Sequence, residues 1–195
     1  MRILLVYCHP VPESFSASIR DEAIKTLEAN GHEIRLLDLY AEGFDPVMGT
    51  EERRRYNDLP VEQHPLPEHI AHLRWAEGLL FVYPTWWYGL PAMLKGWLDR
   101  VWAPGVAFSM PEPNARIGAL MTQIRVLGVI TTCGAPWLWS HVIGHPGRRT
   151  ITRGIRALCA WRCKTFFMAH YLMDSSTDET RRAFLAKVRR KLARV

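Results

Sequence analysis

The 195-residue chain has no apolar run that reaches the roughly 18 residues a membrane span requires. Its start, MRILLVYCHP, lacks the long apolar core and small-residue cleavage site of a secretory signal. Cysteine is scarce, with only Cys8, Cys133, Cys159 and Cys163. Nothing marks secretion, so reduced thiols and a cytoplasmic location are expected. Cys159 and Cys163 lie four apart, on one face of a predicted helix. A zinc site needs two further ligands and there is no second cysteine pair, so the pair reads as core and no metal site is expected. The loop after the first strand carries neither G-x-G-x-x-G nor G-x-x-x-x-G-K, the usual glycine signatures of phosphate binding. Internal repeats and low-complexity segments are absent.

The chain does have enough apolar residues for a core. Hydrophobic residues make up 48% and charged residues 23%, which excludes a disordered chain. The length fits a single domain over residues 1–195. The net charge of +6 is concentrated in two places. One is the last helix, with Arg181, Arg182, Lys187, Arg189, Arg190, Lys191 and Arg194. The other is Arg148, Arg149, Arg153 and Arg156. The terminal group lacks interleaved aromatics and no recognition motif precedes it, so it reads as a solvated helix face rather than a nucleic-acid surface.

Strands alternate with helical stretches, the pattern of a parallel sheet covered on both faces. The predicted strands are Ile3–Tyr7, 33–39, Leu79–Tyr83, Val126–Thr131 and Thr165–Ala169. The first helix spans about 16–30 and stops at Gly31 as a C′ residue. Residues 40–77 hold two short helices, 51–56 and 69–76, broken by Pro46, Pro60, Pro65 and Pro67. This segment reads as an excursion from the sheet without its own core. After the third strand, Pro91 starts a helix whose Met93, Leu94, Trp97, Leu98, Val101 and Trp102 form one apolar stripe. A long connection, 103–124, carries Pro104, Gly105, Pro111 and Pro113. A helix over 149–161 follows the loop TTCGAPWLWSHVIGHPG, and a final helix follows the capping-box pattern Ser176–Glu179.

Three loops carry candidate chemistry. HPVPESFSAS places Ser14 and Ser16 at a helix start, where hydroxyls and free N–H groups meet the positive helix end and suit a phosphate. Thr85, Trp86, Trp87 and Tyr88 follow the third strand, and three adjacent rings cannot all point inward. In open α/β sheets ligands sit at the carboxyl ends of strands, and a loop of rings suits a planar ligand. Thr131, Thr132, Cys133 and Gly134 bring small residues and N–H groups to the edge of a heterocycle. His141 and His145 follow, and either can donate a proton near neutral pH.

Together these loops resemble the NAD(P)H:quinone oxidoreductase family, over about residues 2–170. The matching pieces are HPVPESFSA, YPTWWYGLPAMLKGWLDRVW, VITTCG and IGHPG, of which the second is the most specific. IGHPG also looks like the small quinone reductases that accompany bacterial potassium-efflux systems. The resemblance implies a flavodoxin-like three-layer α/β sandwich with a five-stranded parallel sheet in the order 2-1-3-4-5. It implies a flavin, FAD by the His9 and S-F-S match with FMN as the alternative, and NAD(P)H as co-substrate. His9, Ser14, Phe15 and Ser16 match contacts to the flavin phosphate or pyrophosphate. Pro84, Thr85, Trp86, Trp87 and Tyr88 match the segment along the isoalloxazine ring, with the N–H groups of Trp87 and Tyr88 toward N5 and O4. Thr131, Thr132, Cys133 and Gly134 match the turn at the pyrimidine side. His145 matches the family's active-site histidine, whereas Trp139 stands where the family has a tyrosine, which removes a hydroxyl. Cys133 occupies a position where glycine is common. Phe108 falls where an aromatic from a second subunit meets the substrate, so the resemblance implies a homodimer with shared sites, Trp87 and His145 also contacting substrate.

The expected activity is two-electron, ping-pong hydride transfer from NAD(P)H through flavin N5 to a quinone-like acceptor. Arg148 or Arg149 fits the 2′-phosphate of NADPH through paired hydrogen bonds. Two other readings share the fold: a flavodoxin-type electron carrier, and a flavin-binding regulatory subunit of a potassium-efflux transporter. Neither nucleic-acid binding nor stable membrane insertion is expected.

Overall fold

Continuous apolar runs bury the central strands on both sides, and the rest of the chain folds around them. The computed structural model describes residues 1–58, 60–110 and 116–195. In chain order the elements are β1 (Arg2–Tyr7), α1 (Phe15–Ala29), β2 (Glu33–Asp38), α2 (Thr50–Arg55), α3 (Pro67–Trp75), β3 (Gly78–Thr85) and α4 (Ala92–Val101). They continue with β4 (Phe108–Ser109), β5 (Gly118–Ala119), β6 (Val126–Cys133), α5 (Trp137–Ile143), α6 (Pro146–Arg149), β7 (Lys164–His170) and α7 (Asp178–Leu192). The main sheet is parallel, in the order β2-β1-β3-β6-β7, which is 2-1-3-4-5 when its own strands are counted. The order reverses between β1 and β3, so a crevice opens at their carboxyl ends.

Alternate residues of each strand serve opposite faces. Leu4, Val6, Phe81 and Val129 pack with Leu73, Leu94, Trp97 and Val101 of α3 and α4. Leu5, Tyr7, Val82 and Ile130 pack with Ile19, Ala23, Phe184 and Val188 of α1 and α7. The excursion over 40–77 shares the first of these cores through Phe44, Ile70 and Leu73. Arg100 of α4 bonds Glu52 of α2 at 2.9 Å and so ties the excursion down. The two residues of β4 pair with those of β5 inside the long connection. Pro111 and Pro113 lie outside the described residues.

The predicted first helix ends as expected, with Gly31 at φ 76. Several boundaries differ from the expectations. Both β3 and β6 run two residues further, because their mutual register continues to Thr85 opposite Cys133. Thr85, Thr131, Thr132 and Cys133 are therefore the last strand residues, not loop residues. Pro91 is the N-cap of α4 with ψ 148, and Ala92 is its first helical residue. The capping box of α7 pairs Thr177 with Thr180, since Ser176 is engaged by the Arg181 guanidinium at 2.8 Å.

The largest difference lies between 137 and 161. The expected loop contains the helix α5, and the expected helix over 149–161 is broken. After α6 the chain passes through a wide π turn, Thr150–Gly154, and a 3₁₀ turn, Ile155–Leu158. A run of β-branched residues and Gly154 weakens helix here. The hydroxyls of Thr150 and Thr152 also bond back to the carbonyls of Pro146 and Arg148. Cys159 and Cys163 thus share no helix face. They lie instead on either side of a turn closed by Cys163 N–H on the Ala160 carbonyl, where the buried thiols donate to the carbonyls of Ile155 at 3.4 Å and Lys164 at 3.8 Å.

Candidate active site

At the carboxyl edge of β1, β3 and β6 lies an open cleft of about 790 Å³. It brings together His9, Pro84, Thr85, Trp86, Trp87, Tyr88, Thr132, Cys133 and Gly134, with Ala135, Met173 and Asp174 completing the wall. The last three were not anticipated, because Met173 and Asp174 follow β7 and nothing in their local sequence marks them.

Ser14 caps α1, its Oγ accepting from Ala17 N–H at 3.2 Å and lying 3.2 Å from the Tyr7 hydroxyl. The N–H groups of Phe15 and Ser16 have no backbone partner, as expected for the first turn of a helix. The Phe15 ring points away from the cleft, packed against His170 and Phe184 at 5.3 and 6.2 Å. Only its backbone is available to a ligand. Nδ1 of His9 accepts from Val11 N–H at 3.0 Å. The same Nδ1 lies 3.2 Å from the Val11 carbonyl, and burial holds His9 below the usual histidine pKa.

Trp86 to Gly89 form a tight turn, closed by Gly89 N–H on the Trp86 carbonyl at 3.0 Å. Its two central residues are left-handed, Trp87 at φ 48 and Tyr88 at φ 62. Glycine normally fills such positions, and bulky residues there cost of order 1–3 kcal/mol each. The turn leaves both central N–H groups without a backbone partner and holds the Trp87 ring 94% exposed. Beneath it, Thr131 Oγ1 donates to its neighbour's carbonyl, so Thr85 Oγ1 is the donor in their 2.8 Å contact.

A small cavity of about 20 Å³, roughly the size of one water, adjoins the cleft and shares Thr85, Tyr88 and Cys133 with it. His145 lines that cavity, with Ser140, Arg148 and Tyr171. It too is left-handed, at φ 48, just after Gly144 at φ 88. Partial burial, then the positive charges of Arg148, His141 and Arg149, hold its imidazole below the usual histidine pKa. Gly147 donates to the Tyr88 carbonyl at 3.3 Å, and a Cβ on Gly147 would stand 3.1 Å from the Gly89 backbone. The aromatic turn and the His145 loop are locked together at that point. Trp139 Nε1 donates to the Tyr88 hydroxyl at 2.9 Å. The Trp139–Tyr88 pair spans 51 residues and has no local signal, and Tyr88 lines the small cavity with His145 and with Tyr171, whose ring stands 6.4 Å from the imidazole. Phe108 packs on the core below the sheet and does not line the cleft of its own chain.

The family described by a flavodoxin-like fold matches residues 1–193. The chain belongs to that family. A human ribosyldihydronicotinamide dehydrogenase (quinone) is 31% identical over 146 residues, covering 67% of this chain and 63% of that protein. An Escherichia coli protein named as an uncharacterized NAD(P)H oxidoreductase, YcaK, is 36% identical over 108 residues, 55% of each chain. The chain spans about half to two thirds of the curated relatives it matches, from 48% to 63% for the first three. Among solved structures, an NAD(P)H:quinone oxidoreductase from Methanothermobacter marburgensis superposes with a TM-score of 0.82 at 26% identity, covering 99% and 98% of the two chains. Smu.1420 from Streptococcus mutans superposes equally well, at 29% identity over both whole chains.

Proposed function

We propose that the protein is a flavin-dependent oxidoreductase that takes a hydride from NAD(P)H and delivers two electrons to a quinone-like acceptor. Overall, NAD(P)H, a proton and a quinone become NAD(P)⁺ and a hydroquinone. The observation that carries this reading is the strained turn over Trp87 and Tyr88, which offers two free N–H groups to one cleft. The free N–H groups of α1 lie beyond the same strand edge. The names of the family relatives support it.

These features suit a flavin. The first turn of α1 and the His9 ring would hold its phosphate or pyrophosphate. Pro84 to Tyr88 would follow the ring edge, and the Cys133 and Gly134 amides would meet its pyrimidine carbonyls. Bound there, the flavin supplies the hydride acceptor and the store of two electrons. We read it as FAD, with FMN as the alternative, on the His9 and Ser14–Ser16 match. His145 and the Tyr88 hydroxyl hold a proton beside the small cavity, and Trp139 fixes the tyrosine by its N–H. The exposed Trp87 ring offers a stacking surface to nicotinamide or acceptor in turn. A second copy would bring its Phe108 to that surface and close the site from above. Four free, buried thiols fit a reducing compartment, which we take to be the cytoplasm.

The test is the visible spectrum of the purified protein, followed by NADPH and NADH without oxygen. A yellow protein that bleaches supports the reading, and acid release then separates FAD from FMN. A protein that stays colourless after flavin is supplied overturns it. A yellow protein that neither nucleotide bleaches is an electron carrier instead.

A further inference from the structure

Beyond His145, away from the cleft, lies a second recess of about 230 Å³, lined by His141, His145, Arg148, Arg149, Thr152 and Arg153. Its charge is of one sign. Elsewhere several arginines have carboxylate partners: Arg20 with Asp21, Arg100 with Glu52, Arg125 with Glu77 and Arg189 with Glu22. Among the described residues no carboxylate pairs with Arg148, Arg149 or Arg153. Three guanidinium groups in one concavity repel one another unless an anion joins them, and planar guanidinium groups match phosphate with paired hydrogen bonds. Arg156, the fourth of this sequence cluster, is used differently, bonding the Cys163 carbonyl at 3.1 Å.

The geometry places this recess in series with the cleft. Thr85, Tyr88 and Cys133 are shared between the cleft and the small cavity, and His145 and Arg148 between the small cavity and the recess. The small cavity holds only about one water, so a ligand with its reacting ring at the Trp87 turn would reach the arginines over the outside of the His145 loop. The Arg148 guanidinium sits over the Phe167 ring at 5.5 Å, which holds it between the two spaces.

We propose that this recess is a phosphate-monoester subsite that receives the 2′-phosphate of NADPH and makes the protein select NADPH over NADH. Arg149 and Arg153 grip the phosphate, and Arg148 stands between the recess and the small cavity. The proposal rests on the oxidoreductase reading, and its test separates the two. Equilibrium titrations with 2′,5′-ADP and with 5′-AMP compare the same nucleoside with and without the 2′-phosphate and need no turnover. The expected result is about tenfold or tighter binding of 2′,5′-ADP, the scale of a hydrogen-bonded charge. R149Q/R153Q abolishes that preference, and R149K/R153K, which keeps point charges, retains part of it. Inorganic phosphate competes with 2′,5′-ADP in the unsubstituted protein and not in R149Q/R153Q.

Equal binding of the two nucleotides overturns the assignment, as does a preference that survives R149Q/R153Q. An equal loss of 2′,5′-ADP and 5′-AMP binding in R149Q/R153Q would assign the arginines to the 5′-phosphate and equally overturn it. In turnover, the NADPH to NADH ratio of kcat/KM falls about tenfold in R149Q/R153Q. A protein that neither nucleotide reduces, yet prefers 2′,5′-ADP in an arginine-dependent way, keeps the subsite and loses the oxidoreductase reading.

Discussion

His145 is fixed by its surroundings more than by its own sequence. Its left-handed backbone follows Gly144, its N–H bonds the Ser140 carbonyl at 3.1 Å, and its ring stands 6.0 Å from Phe167. Burial and the neighbouring arginines keep it neutral at pH 7, since its pKa lies below the ordinary 6.5. The imidazolium therefore gains population only as pH falls below that value. If His145 assists by carrying a proton beside the small cavity, nucleotide-driven bleaching accelerates as pH falls through its depressed pKa. His145→Ala removes that acceleration and slows bleaching by about 10²-fold, the usual scale of acid–base assistance. Stopped-flow absorbance from pH 5 to 8 reads both effects, and an unchanged rate in the variant sinks the role. The sequence pointed to His145 through the family resemblance, by its spacing from the VITTCG turn, and the fold sets it on the wall of the small cavity. The bond from Trp139 to the Tyr88 hydroxyl was not legible, because the two are 51 residues apart and only the folded chain brings them together.

At the scale of elements, legibility followed periodicity and failed where other forces set the conformation. The sheet strands and the helices α1, α4 and α7 announce themselves by apolar spacing and caps. The stretch from 137 to 161 does not: α5 is short, its exposed face is apolar, and the threonine back-bonds open the following turns. Gly96 presents a similar case inside α4. A glycine in a helix interior costs about 1 kcal/mol relative to alanine, so sequence alone recommends Ala. The folded chain gives the reason against it, for a Cβ on Gly96 would collide with the backbone and ring of Pro46. That contact lets the 40–77 excursion lie directly on α4. Gly96→Ala is expected to lower stability by about 1–3 kcal/mol despite its better propensity, the range of an overpacked core. Urea unfolding measures it, and a midpoint at or above that of the unsubstituted protein would show that Pro46 yields without cost.

For the molecule as a whole, the apolar surface is unevenly distributed. Trp87 is 94% exposed, and Trp137, Leu138, Trp139 and Val142 of α5 are each at least half exposed. These residues belong to the aromatic turn and to the helix beside it, which Trp139 joins to Tyr88. Large exposed apolar patches are the surfaces at which proteins associate, and the aromatic turn among these residues also walls the cleft. On the proposed function a second copy would cover both tryptophan turns there, and the family resemblance would have its Phe108 reach the facing cleft from the core of its own chain. A charge in the middle of the patch tests the arrangement. Leu138→Glu is expected to convert a dimer into a monomer by light scattering and to depress quinone reduction more strongly than flavin binding. Leu138 is 65% exposed and lines neither the cleft nor the small cavity, so a loss of activity that tracks the loss of mass can be assigned to the missing partner. An unsubstituted protein that is monomeric and fully active would remove the second copy from the site.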